Sequence, residues 1–267
     1  MEVKNINKYS NYQLIKKTNK FFAKNIIKLV LFIFTMSFIK VFIELKNNMD
    51  RNFGLIYIIV YITIFCFKYI YIKFKASCFY LKDIKNIKLS DDILQGKIKK
   101  ILICIFLISS RMVYFYIPVS IAKGQAIYST ENIVVEFIFI IVFILTVINF
   151  GYFWLRYSYS LELIIFDNYN SNEAIDKSQE LTKLDVWSMY KIYFILFAIY
   201  FGTNLIFNTY INKIFLHSEF YLHTIFLQCV IIRFVVAYSY ALFSIKYMNL
   251  RDYKESTQLS KTVTYSS

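Results

Sequence analysis

One proline and five glycines are the only strong helix breakers in a chain of 267 residues. So few argue against long loops and flexible linkers, and the sequence shows no domain boundary. Cysteine is scarce too. Cys66, Cys78, Cys104 and Cys229 have no paired spacing, and three of them fall inside apolar runs, so neither disulfides nor zinc are expected. Histidine occurs twice. There is no Gly-rich phosphate loop, no His-Glu-x-x-His and no Gly-x-Ser-x-Gly elbow, and no catalytic, cofactor-binding or metal residue is assigned. His217, Glu219 and His223 read as His-x-Glu-x-x-x-His. With only three candidate ligands and no second pair, an interfacial cluster is the better reading than a metal site.

What the chain has in excess is apolar surface. Hydrophobic residues make up 58%, aromatics 20%, and mean hydropathy is positive. A soluble domain of this size does not carry so much, so the class expected is an all-α, polytopic membrane helix bundle. Six apolar runs have about the 20 residues that a helix needs to cross ~30 Å of hydrocarbon. They are Ile26 to Leu45, Phe53 to Phe74, Ile101 to Ala122, Ile133 to Leu155, Ser188 to Phe207 and Leu222 to Met248. The layout is a basic segment at 1–25, a six-span domain at 26–248 with loops near 75–100 and 156–187, and a tail at 249–267.

The connections carry charge unequally. Twenty-two lysines and arginines fall in residues 1–25, 73–100, 156–191 and 246–267, against Lys46, Arg51, Lys123 and Lys213 in the others. The positive-inside rule then puts both termini and both long loops in the cytoplasm of a plasma-membrane protein. The net charge of +14 is accounted for by topology and by attraction to anionic lipid headgroups, so nucleic acid is not an expected partner.

The longest stretch that no bilayer could take up is Arg156 to Trp187. Asn170 and Glu173 have the spacing of a capping box. Ala174, Ile175, Ser178 and Leu181 then fall on one helix face, opposite Glu173, Asp176, Lys177, Gln179, Glu180 and Lys183. Asp185 can cap a second helix, which Trp187 enters at interfacial depth. The expectation is an amphipathic helix over 171–183 on the membrane surface, followed by a span.

The run Ala174-Ile175-x-Lys177-Ser178-x-Glu180-Leu181-x-Lys183-x-x-x-Trp187, behind Asp167-Asn168, resembles a family of bacterial multi-pass membrane proteins, domain of unknown function 975. That family is similar to the membrane domain attached to some glycerophosphodiester phosphodiesterases. The chain departs from the family's Met-Lys-Gly at Thr182-Lys183-Leu184. Looser likeness covers Leu14-Ile15-Lys16-Lys17 and Tyr238-Ser239-Tyr240. The resemblance implies a six-helix membrane bundle and does not supply an activity.

The spacing of Ala174, Ile175, Ser178, Leu181 and Thr182 is echoed by Leu14, Ile15, Thr18, Phe21 and Phe22. Ser90-Asp91-Asp92 can cap a third helix, through Ile93, Leu94 and Ile98. Spans one, three and five would each then be led in by a surface helix, unless the echo is only what basic juxtamembrane helices share.

Charged groups inside spans need an account, at about 2.5–3.5 kcal/mol for a central Arg or Lys. Lys28 and Lys68 can snorkel. Arg111, Arg233, Lys40 and Glu136 have two readings. They form a polar pathway or anion site lined by Arg111 and Arg233, or they are packing locks in which Lys40 or Arg111 pairs with Glu136 and Arg233 bonds to tyrosines and carbonyls. Three functions follow. The first is a non-enzymatic component of a transport, immunity or envelope-maintenance system, with membrane protein partners. The second is a carrier or channel for a small anion or lipid headgroup. The third is a lipid-processing enzyme, implied only by the phosphodiesterase association.

Overall fold

The structure, a computed structural model, describes residues 9–47, 51–87, 89, 92–125, 141, 145, 148–149, 151–183, 185–211, 214 and 220–264. Glu136, His217, Glu219, the Ser90-Asp91 pair and most of the fourth expected span lie outside the described residues. Every element among the described residues is helical. They are α1 (Asn11–Asn47), α2 (Arg51–Lys85), the single turn α3 (Asp92–Gln95), α4 (Ile98–Gln125), α5 (Ser160–Asp167), α6 (Ser171–Lys183), α7 (Val186–Ile206) and α8 (Tyr221–Thr264). Residues 151–157 are also helical, and a π turn, Phe207–Ile211, continues α7.

Among the described residues, three helical stretches are long and apolar enough to cross a membrane: Asn11–Phe42, Val186–Ile211 and Tyr221–Lys254. Two of their helices overrun the spans expected from composition. α1 has 37 residues, about 55 Å, and α8 has 44, about 66 Å. The limits drawn at 25/26 and 248/249 therefore fall inside continuous helices. Neither helix contains a glycine or proline, so the change from basic to apolar side chains alters the surroundings of the helix without breaking it.

The echo between the two amphipathic stretches holds in burial at four of its five positions. Leu14, Thr18, Phe21 and Phe22 are buried, as are Ala174, Ile175, Ser178, Leu181 and Thr182, whereas Ile15 is exposed. The first stretch runs straight into the span within α1; α6 ends at Lys183 and α7 begins at Val186. The third expected surface helix is reduced to the four residues of α3, none of them buried.

The chain also divides where the sequence showed no boundary. Met1–Leu89 with Phe194–Ser267 form one compact unit, and Ser90–Tyr193 form another. In the first unit α1, α2 and α8 pack pairwise against one another. Their core combines large side chains (Phe21, Ile33, Met36, Phe74) with wholly buried small ones, Ala76, Ser77, Ala237, Ala241 and Ser244. The start of α1 is a complete capping box: the Gln13 amide N–H donates to Ser10 Oγ at 3.3 Å, and the Ser10 N–H to Gln13 Oε1 at 2.9 Å.

Polar ties gather where the start of α1, the end of α2 and the middle of α8 meet. The Tyr9 N–H donates to Asn249 Oδ1 at 2.8 Å, and Asn249 Nδ2 donates to the Tyr80 hydroxyl at 3.4 Å. Burial raises the Tyr80 phenol well above its ordinary range, partly offset by Asn249. Lys17 and Lys20 both pair with Asp83, and Lys85 Nζ lies 2.8 Å from Asp252 Oδ1.

The two halves of the Lys85–Asp252 pair are unequal. The Asp252 side chain is wholly buried, while Lys85 retains 28% of its exposure. Arg251, at 3.5 Å, gives the carboxylate only partial cover. Lys85→Met strands a buried charge and is expected to cost about 3 kcal/mol or more, whereas Asp252→Asn leaves a lysine that can turn to water and costs less. Unfolding of both variants in detergent gives the order. Asp83 supplies an acid-side counterpart. Its hydrogen bonds to Lys17 and then Lys20 hold its carboxyl below the usual range. That stabilisation is present above the unfolded pKa of about 3.9 and is lost as pH falls through the lower folded value. Asp83→Asn is expected to flatten the fall of Tm on the acid side of pH ~4.

Candidate functional site

The site is built on the 156–187 stretch, in the second unit. The helix at 151–157 ends in a turn at Ser158-Tyr159, and α5 begins at Ser160 with no side-chain cap of its own. At that helix start the Tyr159 N–H finds a side-chain acceptor. Ser178, on α6, accepts it at 3.2 Å and donates its own hydroxyl to the Arg156 carbonyl at 2.7 Å. One hydroxyl of the family-like motif thus closes a backbone break 19 residues earlier in the chain.

α5 ends on Asn168 in the left-handed conformation (φ 60°), a position asparagine tolerates better than most residues. The chain then turns into α6, whose bounds match the expected 171–183. The Asn170 N–H donates to Glu173 Oε2 at 3.2 Å, so one arm of the expected capping box is formed. Ser171 Oγ donates to the Lys100 carbonyl at 2.8 Å, and Lys97 Nζ to the Ile165 carbonyl at 2.7 Å, where it complements the negative end of α5. Burial, and then Lys100, lowers the Lys97 pKa, while Asp167 opposes the shift.

Ala174, Ile175, Ser178 and Leu181 are buried as expected, but their cover is protein. α6 packs on α5 and on α4. The picture of this face lying directly on the membrane surface is corrected accordingly. On the outward face Glu173, Asp176, Glu180 and Lys183 are exposed. Lys177 Nζ lies 2.6 Å from Glu180 Oε2, and that hydrogen bond raises the lysine's pKa. Trp187 is 80% exposed at the start of α7, the outward position expected of an interfacial indole.

Two buried groups here gave no sequence signal. Glu162 and Tyr159 are wholly buried in the second unit. The Tyr159 hydroxyl donates to Met189 Sδ at 3.3 Å. Burial, with Asp185 and Glu162 nearby, pushes its phenol far above the ordinary range. Glu162 lies one turn into an apolar run, and only its burial in the folded unit distinguishes it from a surface acid.

Of the four intramembrane candidates, Arg233 and Lys40 belong to the first unit, Arg111 to the second, and Glu136 lies outside the described residues. Arg233 is buried in the first unit, where its guanidinium donates to the Cys229 carbonyl at 3.2 Å and to Ser37 Oγ at 3.5 Å. Lys40 is half-buried on α1. Arg111 belongs to the second unit and is exposed on α4, next to exposed Ser109 and Ser110. His223 is exposed, its ring 6.0 Å from that of Phe220. No protein family, curated protein or solved structure matches this chain. The resemblance to the bacterial membrane family therefore rests on the residues quoted for it.

Ser178 gives a direct test of this arrangement. Ser178→Ala removes two buried hydrogen bonds, to the Tyr159 N–H and the Arg156 carbonyl, and is expected to destabilise by about 1–3 kcal/mol. Asp176→Ala, on the exposed face of the same helix, should stay within about 0.5 kcal/mol of the parent. Thermal unfolding of the two variants in detergent checks the difference.

Proposed function

We propose that this chain is a six-span plasma-membrane protein with both termini in the cytoplasm, of the kind found in the bacterial family it resembles. It works without covalent chemistry, as a component of a transport, immunity or envelope-maintenance system. The observation that carries the reading is a contrast between two kinds of surface. Large apolar side chains stand exposed along the long helices, among them Ile27, Leu31 and Phe38 on α1, Ile195 and Leu205 on α7, and Leu227 on α8. Exposed apolar surface on that scale fits lipid or a partner helix. The outer face of α6 instead alternates in charge and is held rigid from behind by Ser171 and Ser178, which fits a docking face for a membrane protein partner.

The second reading, a carrier for a small anion or lipid headgroup, relies on Arg111 and Arg233 together. Arg233 is engaged within its own unit, which favours the structural role.

Reporter fusions after Asn48, Gly124 and Ser218 are expected to read external, and those after Ser90 and Asn172 internal. A single inverted loop overturns the six-span topology. Lys177→Ala and Glu180→Ala should reduce co-purification with products of neighbouring genes and leave the unfolding midpoint nearly unchanged, because an exposed pair contributes little stability. If the purified protein hydrolysed a phospholipid or glycerophosphodiester, and lost that activity on replacement of Asp167 or Glu180, the non-enzymatic reading would fail.

A further inference from the structure

In the first unit the lysines are arranged in rows. On α1, Lys17, Lys20, Lys24 and Lys28 recur at spacings of three and four, which keeps them on one helix face. On α2, Lys68, Lys75 and Lys82 recur at spacings of seven, again one face.

Contacts fix where both rows lie. Lys17 and Lys20 reach Asp83, Lys24 Nζ sits 5.3 Å from the centre of the Phe79 ring, and Phe21 packs on the same ring at 5.7 Å. Farther along, Phe32 meets Tyr69 at 5.7 Å, so the two helices run antiparallel with the rows flanking their seam. Other faces of the same helices turn to α8. Phe22 packs on Phe234 and Tyr238, and Tyr69 and Lys73 pack on Tyr240. The lysine rows therefore border the seam on the side away from α8.

Among the described residues, seven lysines border this seam, and Asp83 pairs with two of them, Lys17 and Lys20. Two aligned rows of like charge repel unless an anion lies along them. The Phe79 ring lies in the seam between them, and Lys75 Nζ rests 5.1 Å from the Tyr71 ring. Immediately beyond the α1 row the exposed surface becomes apolar, with Leu31 at 63% exposure. An anion bound here meets apolar surface within one helical turn. That suits a phosphate carried on acyl chains better than a free one. Lys17 to Lys28 spans about 16 Å of helix, more than one phosphate needs.

We propose that the α1–α2 seam is a binding site for an anionic phospholipid whose headgroup carries two phosphates. One phosphate lies toward Lys20, Lys24 and Lys82, the other toward Lys28 and Lys75, and the acyl chains run onto the apolar surface beyond Lys28. Asp83 occupies Lys17 and Lys20 and so competes with the headgroup for them. The inference rests on the membrane reading only for the source of the lipid.

The test is native mass spectrometry of the full-length protein in detergent, titrated with a two-phosphate lipid, with phosphatidylglycerol or with inorganic phosphate. The two-phosphate lipid should bind most tightly. Combined Lys24→Gln, Lys28→Gln and Lys75→Gln should weaken it about tenfold or more. Lys99→Gln, Lys183→Gln and Lys191→Gln together, which remove the same charge from the second unit, should leave binding unchanged. Asp83→Asn should tighten binding, where a purely structural role for that pair would weaken it. Equal losses in both triple variants, equal affinity for the one-phosphate lipid, displacement by millimolar inorganic phosphate, or weaker binding by Asp83→Asn would each overturn the proposal. The assay is in detergent and does not depend on sidedness, so an inverted reporter fusion would overturn the topology and leave this result standing.

Discussion

Between helices whose outer surfaces are as apolar as lipid, no hydrophobic force favours contact with one another over contact with acyl chains. Association must then come from close packing and from polar groups that find partners only when the helices meet. The first unit shows both. Ala76 and Ser77 on α2 and Ala237, Ala241 and Ser244 on α8 are wholly buried, and such small side chains let backbones approach closely. Arg233 with Ser37, Tyr238 with Asn19 and Lys85 with Asp252 each join two helices through a charged or hydrogen-bonded pair. Small residues supply the contact area and the polar pairs set the register.

The same economy governs helix ends. In each unit the backbone N–H of a tyrosine just ahead of a helix is taken by a polar side chain from a distant part of the chain. Tyr9, before α1, is bonded by Asn249, and Tyr159, before α5, by Ser178. A locally supplied cap stabilises its helix whether or not the rest of the fold is present. A bond supplied from 240 residues away, just ahead of the local Ser10–Gln13 capping box, couples the start of one helix to the placement of another. Asn249 and Ser178 are therefore elements of tertiary structure as much as of capping.

This explains which features were legible in the sequence. The limits of α6 and its buried face followed from Asn170, Glu173 and the period of Ala174, Ile175, Ser178 and Leu181, because capping and amphipathic period are short-range properties. The cover of that face was not legible. A stripe that suits a bilayer surface suits α5 equally well, and the sequence carries no sign of which it meets. The continuity of α1 and α8 was missed for a related reason: composition shifts at residues 25 and 248, but nothing there alters backbone preference. Glu162 and Asp252 read as ordinary acids, and their burial arises only when other elements close over them. The division into two units was hidden by the scarcity of glycine and proline, since here the boundary at Tyr193 and Phe194 runs through the middle of a helix.

That division has a consequence for the order in which the protein is made. The second unit, Ser90–Tyr193, is a single continuous segment and has all its parts once Tyr193 has been synthesised. The first is interrupted: α1 and α2 emerge at the beginning, and α8 arrives only after the whole of the second unit. Until then Lys73, Tyr80 and the rest of the α2 face that packs on α8 are without their cover. The nascent chain thus carries an unfinished two-helix hairpin through most of its synthesis, and the last long helix to emerge completes the first pair to form. A ribosome that stops before Tyr221 leaves a product with the parts of one unit complete and the other lacking its longest helix.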